Sequence, residues 1–238
     1  INPKDYIGYL EAHIEQGDWL EANKLKIGVV TSIVGITQFR ITFEGTQNHA
    51  GTTRMAIRKD AGLAAAKLCV AIDGLFPRLV GERTVWTTGR IELDPGGPSI
   101  IPGKAEILFQ FRDADAGLLE KLEKAVVDLV AEASRAGPCR GSIEILRRSP
   151  PAVMAEPMQV AIEAAAARLC PGKATRIPSG AGHDAQVMAK HMPSSMMFVP
   201  SIGGISHHWT ENTSDEDLAL GAEVYVAAAA EMLGRARG

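Results

Sequence analysis

The sequence predicts an α/β protein in two parts, one of them inserted into the other. Between Ser32 and Arg148, strand-like and helix-like runs follow in the order β-α-β-β-α-β, which folds as an antiparallel sheet with both helices on one face. On either side, Ala-rich helical runs alternate with a short apolar strand, the pattern of α/β layers. Gly and Pro clusters punctuate the runs and set their ends. The expected division is a discontinuous α/β domain of residues 1–31 plus 150–238, and an inserted domain of residues 32–149.

Within the insert, residues 34–44 alternate and are rich in Ile, Phe and Thr, which suits a strand. Residues 60–75 repeat Ala, Leu and Val at helical spacing, and Gly74-Leu75-Phe76-Pro77 supplies a stop. Two strands follow, residues 84–93 and 105–112, separated by the turn cluster Asp94-Pro95-Gly96-Gly97-Pro98. Leu118, Leu122, Ala125, Val126, Leu129, Val130 and Ala133 form an apolar helical stripe with Glu and Lys opposite, and Gly137-Pro138 ends it. Residues 142–146 close the series as a strand, completing a ferredoxin-like order. In the flanks, residues 155–169 and 215–233 suit helices and residues 196–200 a short apolar strand.

With 46% hydrophobic residues, 22% charged and a net charge of -3, the chain has no basic field to attract nucleic acid. The most apolar run, residues 219–233, is interrupted by Glu223 and Glu231 and is shorter than the roughly 20 residues of a membrane span, so it reads as a packed helix. Neither nucleic acid nor a membrane is expected as a partner. Cys69, Cys139 and Cys170 are odd in number and lack C-x-x-C spacing, which suits a reducing cytoplasm. The chain opens at Ile1-Asn2-Pro3 without an initiator Met, so a native start is not expected.

Most histidines sit in polar or Gly-rich contexts. His13 lies in His13-Ile14-Glu15-Gln16-Gly17, at the end of an expected strand that sends His13 and Glu15 to one side. A neutral imidazole there could bind zinc; a satisfied histidine fits the same residues. His207 and His208 follow the flexible run Ser201-Ile202-Gly203-Gly204-Ile205-Ser206, where a functional loop and a solvated one are equally compatible. His49 sits in a loop, Asn48 to Met55, whose Thr52 or Thr53 would cap the first inserted helix. In Pro178-Ser179-Gly180-Ala181-Gly182-His183-Asp184, backbone N–H groups around Gly180 and Gly182 could hold a carboxylate, or the run is a turn with Asp184 as cap. There is no G-x-S-x-G elbow, phosphate loop or dinucleotide turn, and Ser206 beside His207 lacks a placed base.

Taken together, HIEQG at His13, NHAGTT at Asn48, PSGAGHDA at Pro178 and GISH at Gly204, in that order, resemble the amidase, hydantoinase and carbamoylase branch of the M20 metallopeptidases over nearly the whole chain. That branch includes N-carbamoyl-L-amino acid hydrolases, allantoate amidohydrolases and β-ureidopropionases. The resemblance implies cleavage of C–N bonds in linear amides and amidines with two divalent ions, for which zinc, manganese, cobalt and nickel all suit His and carboxylate donors. It implies that His13 and His207 are metal ligands, one on each ion. The remaining ligands and the general-base Glu belong to a segment upstream of HIEQG. On this resemblance the 238 residues form a partial catalytic domain with an inserted dimerisation and lid domain, expected to bind catalytic metal weakly or not at all and to be inactive alone.

The resemblance further implies that Gln38, Asn48, Ser99, Arg112, Gly180 and Gly182 grip a carboxylated ureido or amidino substrate, with His49 donating to the developing oxyanion. An arginine holds a carboxylate through two parallel hydrogen bonds. Two positions depart from the pattern: Ser99 stands where many relatives have Asn, and Arg54 where they usually have Pro. Two other readings compete. One is a dimeric small-molecule-binding module without a metal centre. The other is an aminoacylase or dipeptidase of the same fold, whose members more often place a carboxylate at the position of His13.

Overall fold

A computed structural model describes residues 2–81 and 83–236. It divides into two compact units, Ile1–Val34 with Pro151–Gly238, and Gly35–Pro150. Along the chain run β1 (Tyr9–Ile14), α1 (Trp19–Ala22), β2 (Ile27–Ile33), β3 (Gly35–Glu44), β4 (Asn48–His49), α2 (Ala61–Leu75), β5 (Val85–Asp94), β6 (Ile100–Ile101), β7 (Lys104–Asp113) and α3 (Ala116–Ala136). Then follow β8 (Arg140–Ser149), β9 (Ala152–Val153), α4 (Glu156–Leu169), β10 (Ala174–Ser179), α5 (Asp184–Met188), β11 (Ser194–Val199) and α6 (Asp215–Ala236).

In the Gly35–Pro150 unit the sheet order is β5-β7-β3-β8, antiparallel throughout. Strand alternation sends Phe39, Ile41 and Phe43 of β3 and Ile107, Phe109 and Phe111 of β7 to one face, where they are buried with Leu68 and Ile72 of α2 and Leu122 and Val126 of α3. Each of those six strand side chains withdraws apolar surface worth about 1.5–3 kcal/mol. The alternate residues, among them Gln38, Arg40, Gln110 and Arg112, therefore line the other face. Asp60 caps α2 by accepting the N–H of Leu63, and Asp115 caps α3 through Leu118. Thr52 and Thr53 are not the caps of α2, because a 3-10 turn at Met55–Ile57 intervenes and the Thr53 hydroxyl donates to the His49 carbonyl.

In the other unit the sheet order is β1-β11-β2-β10, with β9 added to β2. β1 runs parallel to β11 and β2 parallel to β10, while β11 and β2 are antiparallel. One face, with Ile27, Val29, Met197 and Val199, packs on Ala161, Ile162 and Ala165 of α4 and on Val224 and Ala228 of α6. The other, with Val30, Met196 and Phe198, packs on Leu20 of α1 and Ala185 of α5. The result is three layers, α/β/α. The alanines let helix backbones approach the sheet closely, and Gly221 of α6 takes this furthest: a Cβ there would lie 2.4 Å from Val199 Cγ1. Among the described residues no helix is long and apolar enough to cross a membrane.

Candidate functional site

Strand β1 presents Glu11 and His13 on one face, two residues apart. The Nδ1 of His13 lies 2.8 Å from the Ile14 carbonyl, which can only accept, so Nδ1 carries the proton and Nε2 keeps its lone pair. His183, from the turn between β10 and α5, packs edge-on against His13 with ring centroids 4.8 Å apart. Its Nε2 is 2.7 Å from the Ser179 hydroxyl, and its Nδ1 is 3.7 Å from Glu11 Oε1. The other oxygen of Glu11 accepts the N–H of Ala185 at 2.7 Å. Donor atoms of Glu11, His13 and His183 all lie within 4.8 Å of one another, a group that could hold a metal ion.

Burial pushes the pKa of His183 down to about 4, and the neighbouring His13 adds to the shift. At neutral pH His183 is therefore uncharged. Its approach to Glu11 is not an ion pair, and the ring keeps a lone pair for a cation. Ser179, His183 and Glu11 have the residue types of a nucleophilic triad, but Ser179 is only 1% exposed and its oxygen is bonded to both the N–H and the carbonyl of Ala181. It braces the turn.

The carboxylate beside His13 is thus Glu11, two residues before it, and not Glu15. Glu15 lies beyond the end of β1 and accepts the N–H groups of Trp19 (3.0 Å) and Leu20 (2.8 Å), fastening the start of α1. Burial nevertheless holds its pKa above the ordinary carboxylate value. Neither Glu11 nor His183 stood among the candidates from sequence. Their signal was the i−2 spacing of Glu11 from His13 and the histidine within PSGAGHDA.

His207 is exposed and lies in the loop before α6, with a left-handed φ of 56°. Its N–H donates to Glu211 at 2.9 Å. The Ser206 hydroxyl holds the Glu211 carboxyl below its ordinary pKa, helped by that N–H and by the nearby His207 and His13 rings. Both candidate ligand histidines therefore lie within electrostatic reach of one carboxylate. Gly180 and Gly182 are exposed in the turn before α5, and a Cβ at Gly180 would meet nothing within 4 Å. His183, not Asp184, occupies the N-cap of α5, and the carboxylate received at this helix start is the protein's own Glu11.

In the other unit, β4 pairs with β6, setting Asn48 opposite Ile101 and His49 opposite Ile100, and Ala50 donates to the Ser99 carbonyl at 2.9 Å. Asn48, His49 and Ser99 are thereby brought together, all exposed. The N–H groups of Gly51 (3.0 Å) and Thr52 (3.3 Å) point at His49 Nδ1. Nδ1 must accept, so the proton of the neutral ring is on Nε2. Arg58 braces this loop by donating to the carbonyls of Thr53 and Ala50.

Gln38 and Arg112 share the open face of the four-stranded sheet. Gln38 sits opposite Gln110 on β7 and Arg147 on β8, and Arg112 donates to Gln110 Oε1 at 3.4 Å. Burial lowers the pKa of Arg112, and the like charge of Arg147 lowers it further. Two guanidinium groups close enough to repel one another favour an anion between or beside them.

The sequence matches the description "Peptidase family M20/M25/M40" over residues 2–231. It is 38% identical over 221 residues to the N-carbamoyl-L-amino-acid amidohydrolase of Paenarthrobacter aurescens, covering 92% of this chain and 53% of that protein. It is 35% identical over 236 residues to the ureidoglycolate hydrolase of Oryza sativa subsp. japonica, covering 98% of this chain and 48% of that protein. The chain thus spans about half the length of these curated relatives. Among solved structures, an amidase of the hydantoinase/carbamoylase family from Burkholderia phymatum superposes with a TM-score of 0.86 at 46% identity, covering 99% of this chain and 57% of that one. AtUAH in complex with (S)-hydroxyglycine superposes with a TM-score of 0.92 at 32% identity, covering 98% and 55%.

Proposed function

The chain belongs to peptidase family M20/M25/M40, and on that footing we propose that it is part of a metal-dependent amidohydrolase cleaving C–N bonds in carboxylated carbamoyl or amidino compounds. The observation that carries this reading is the convergence of Glu11, His13 and His183 within 4.8 Å, with Nδ1 of His13 engaged by the Ile14 carbonyl and Nε2 left to serve as the ligand atom. The donor types fit a divalent ion of the zinc, manganese, cobalt or nickel class. In this reading His13 and His207 are ligands to two such ions, and Glu11 and His183 support His13.

A divalent ion, when bound, brings the pKa of a coordinated water towards neutrality and polarises the scissile carbonyl. The protein's own residues supply the rest. Arg112 takes the substrate carboxylate in a bidentate grip, with Gln38 on the same face as a further hydrogen-bonding group. Asn48 and Ser99 contribute polar contacts from the β4–β6 ladder, and the exposed backbone at Gly180 and Gly182 admits substrate close to the turn. His49, with its proton on Nε2, donates to the oxygen on which negative charge develops. The Gly35–Pro150 unit acts as lid and dimerisation domain, and three free cysteines suit a reducing cytoplasm.

The test is hydrolysis by the complete protein of which this chain is part, purified with Mn2+ and offered N-carbamoyl amino acids, allantoate and ureidoglycolate. Release of ammonia from at least one, lost on chelation and restored by metal, is expected. No turnover of any of the three in the metal-loaded protein would refute the reading.

A further inference from the structure

Two loops meet beside His13. One is the Gln16-Gly17-Asp18 turn between β1 and α1; the other is the run from Ser201 to Glu211. Gln16 and His207 each adopt a left-handed φ, 59° and 56°, a conformation that L side chains seldom take without being held there.

The hold is a chain of polar contacts. Gln16 Nε2 donates to the Ser206 hydroxyl at 3.0 Å, that hydroxyl lies beside the Glu211 carboxylate and lowers its pKa, and Glu211 accepts the N–H of His207 at 2.9 Å. Gln16 also donates its backbone N–H to Ser201 Oγ at 3.0 Å, and Gly203 donates to Glu21 at 2.8 Å. Gly204, at φ +65°, seats the second loop so tightly that a Cβ would lie 2.7 Å from the Asp18 nitrogen.

We propose that Gln16 is a positioning residue for His207: its amide, relayed through Ser206 and Glu211, holds the loop so that His207 faces the same ion-binding space as His13. This rests on the reading that His13 and His207 are both metal ligands. A ligand histidine on an exposed loop pays ordering entropy at binding unless the loop is already fixed, and the relay fixes it beforehand. Gln16 touches neither substrate nor ion in this role.

The experiment uses the complete protein of which this chain is part, with 15N-labelled histidine, Zn2+ as a diamagnetic probe, and the imidazole 15N shifts of His13 and His207 as the readout. In the unsubstituted protein both rings shift over one range of Zn2+. In Gln16→Ala and in Gln16→Gly, His13 shifts over that same range, while His207 requires about tenfold more Zn2+ and its backbone amide exchanges with solvent about tenfold faster. Gln16→Gly separates the relay from the backbone, because glycine adopts the left-handed φ freely. His207 shifting together with His13 in both variants overturns the proposal, and so does a defect confined to Gln16→Ala. If neither histidine shifts in the unsubstituted protein, the metal reading itself has failed and the inference falls with it; failure of the inference alone leaves both histidines responding to Zn2+ in all three proteins.

Discussion

The carboxylate of Glu11 accepts the backbone N–H of Ala185 at 2.7 Å, joining residues 174 positions apart in sequence. This contact ties the strand that carries His13 to the turn that carries His183, and leaves the second oxygen of Glu11 facing both rings. Glu11→Gln keeps the shape of the side chain and a carbonyl oxygen to accept Ala185, but removes the charge. The affinity of the complete protein for Zn2+, measured by competition with a chromophoric chelator, is expected to fall about 10- to 100-fold, with thermal stability little changed. Unchanged affinity would remove Glu11 from the metal centre.

His183 makes the metal-free fold acid-sensitive. Its pKa is about 4 in the folded chain against an ordinary 6.5, so between these values the unfolded chain binds the extra proton and the folded one does not. Its contribution is fully present above about pH 6.5 and is lost as pH falls towards 4, by at most about 3–4 kcal/mol at one pKa unit per 1.36 kcal/mol. Urea melts of the unsubstituted chain and of His183→Gln, compared at pH 7 and pH 4.5, isolate this from the carboxylates. The stability difference between the two proteins should shrink at the lower pH; a constant difference would count against a neutral, buried His183.

Arg112→Lys, made in the complete protein, replaces a flat fork by a point charge beside Arg147. KM for a carboxylated substrate is expected to rise at least tenfold with a much smaller change in kcat, since a bidentate contact made in both ground and transition states is lost. The same replacement at Arg78, an arginine outside the proposed grip, serves as control. Equal kinetics for the two variants would take Arg112 out of the substrate grip.

For His49, the proton on Nε2 leads to a sharper expectation in the complete protein, on the proposal that it is a dimer. His49→Ala is expected to lose about 100- to 1,000-fold in turnover while remaining dimeric and metal-loaded. If His49 completes the site of the neighbouring subunit, mixing it with inactive His13→Ala and allowing exchange produces hybrid dimers with one whole site. Roughly a quarter of the unsubstituted activity should return at random exchange. Activity that stays at the level of the separate variants, with exchange demonstrated by mass, means that His49 serves its own subunit.

The inserted sheet and its two helices were legible because each is amphipathic over ten or more residues: Phe39, Ile41 and Phe43 alternate, and Leu122, Val126 and Val130 repeat every four. β2 and β10 were not. Residues 27–30 are buried on both faces and show no alternation, and β10 carries Arg176 and Pro178, which read as loop. The α1 segment is a single turn held by Glu15, too short to show a period.

The candidate site divides in the same way. The motif strings marked His13, His49 and His207, and their resemblance to the M20 amidase branch implied hydrolysis with metal; the spacing of the residues by itself left a satisfied histidine and a solvated loop open. Which carboxylate stands beside His13 was decided only in three dimensions. A strand's period of two and the pairing of β1 with β11 put Glu11 on the face of His13, while the chain's departure from the strand after Ile14 turned Glu15 away to α1. His183 joined them because β10 and α5, far along the chain, are packed on the same sheet, and such long-range packing leaves no mark in local spacing.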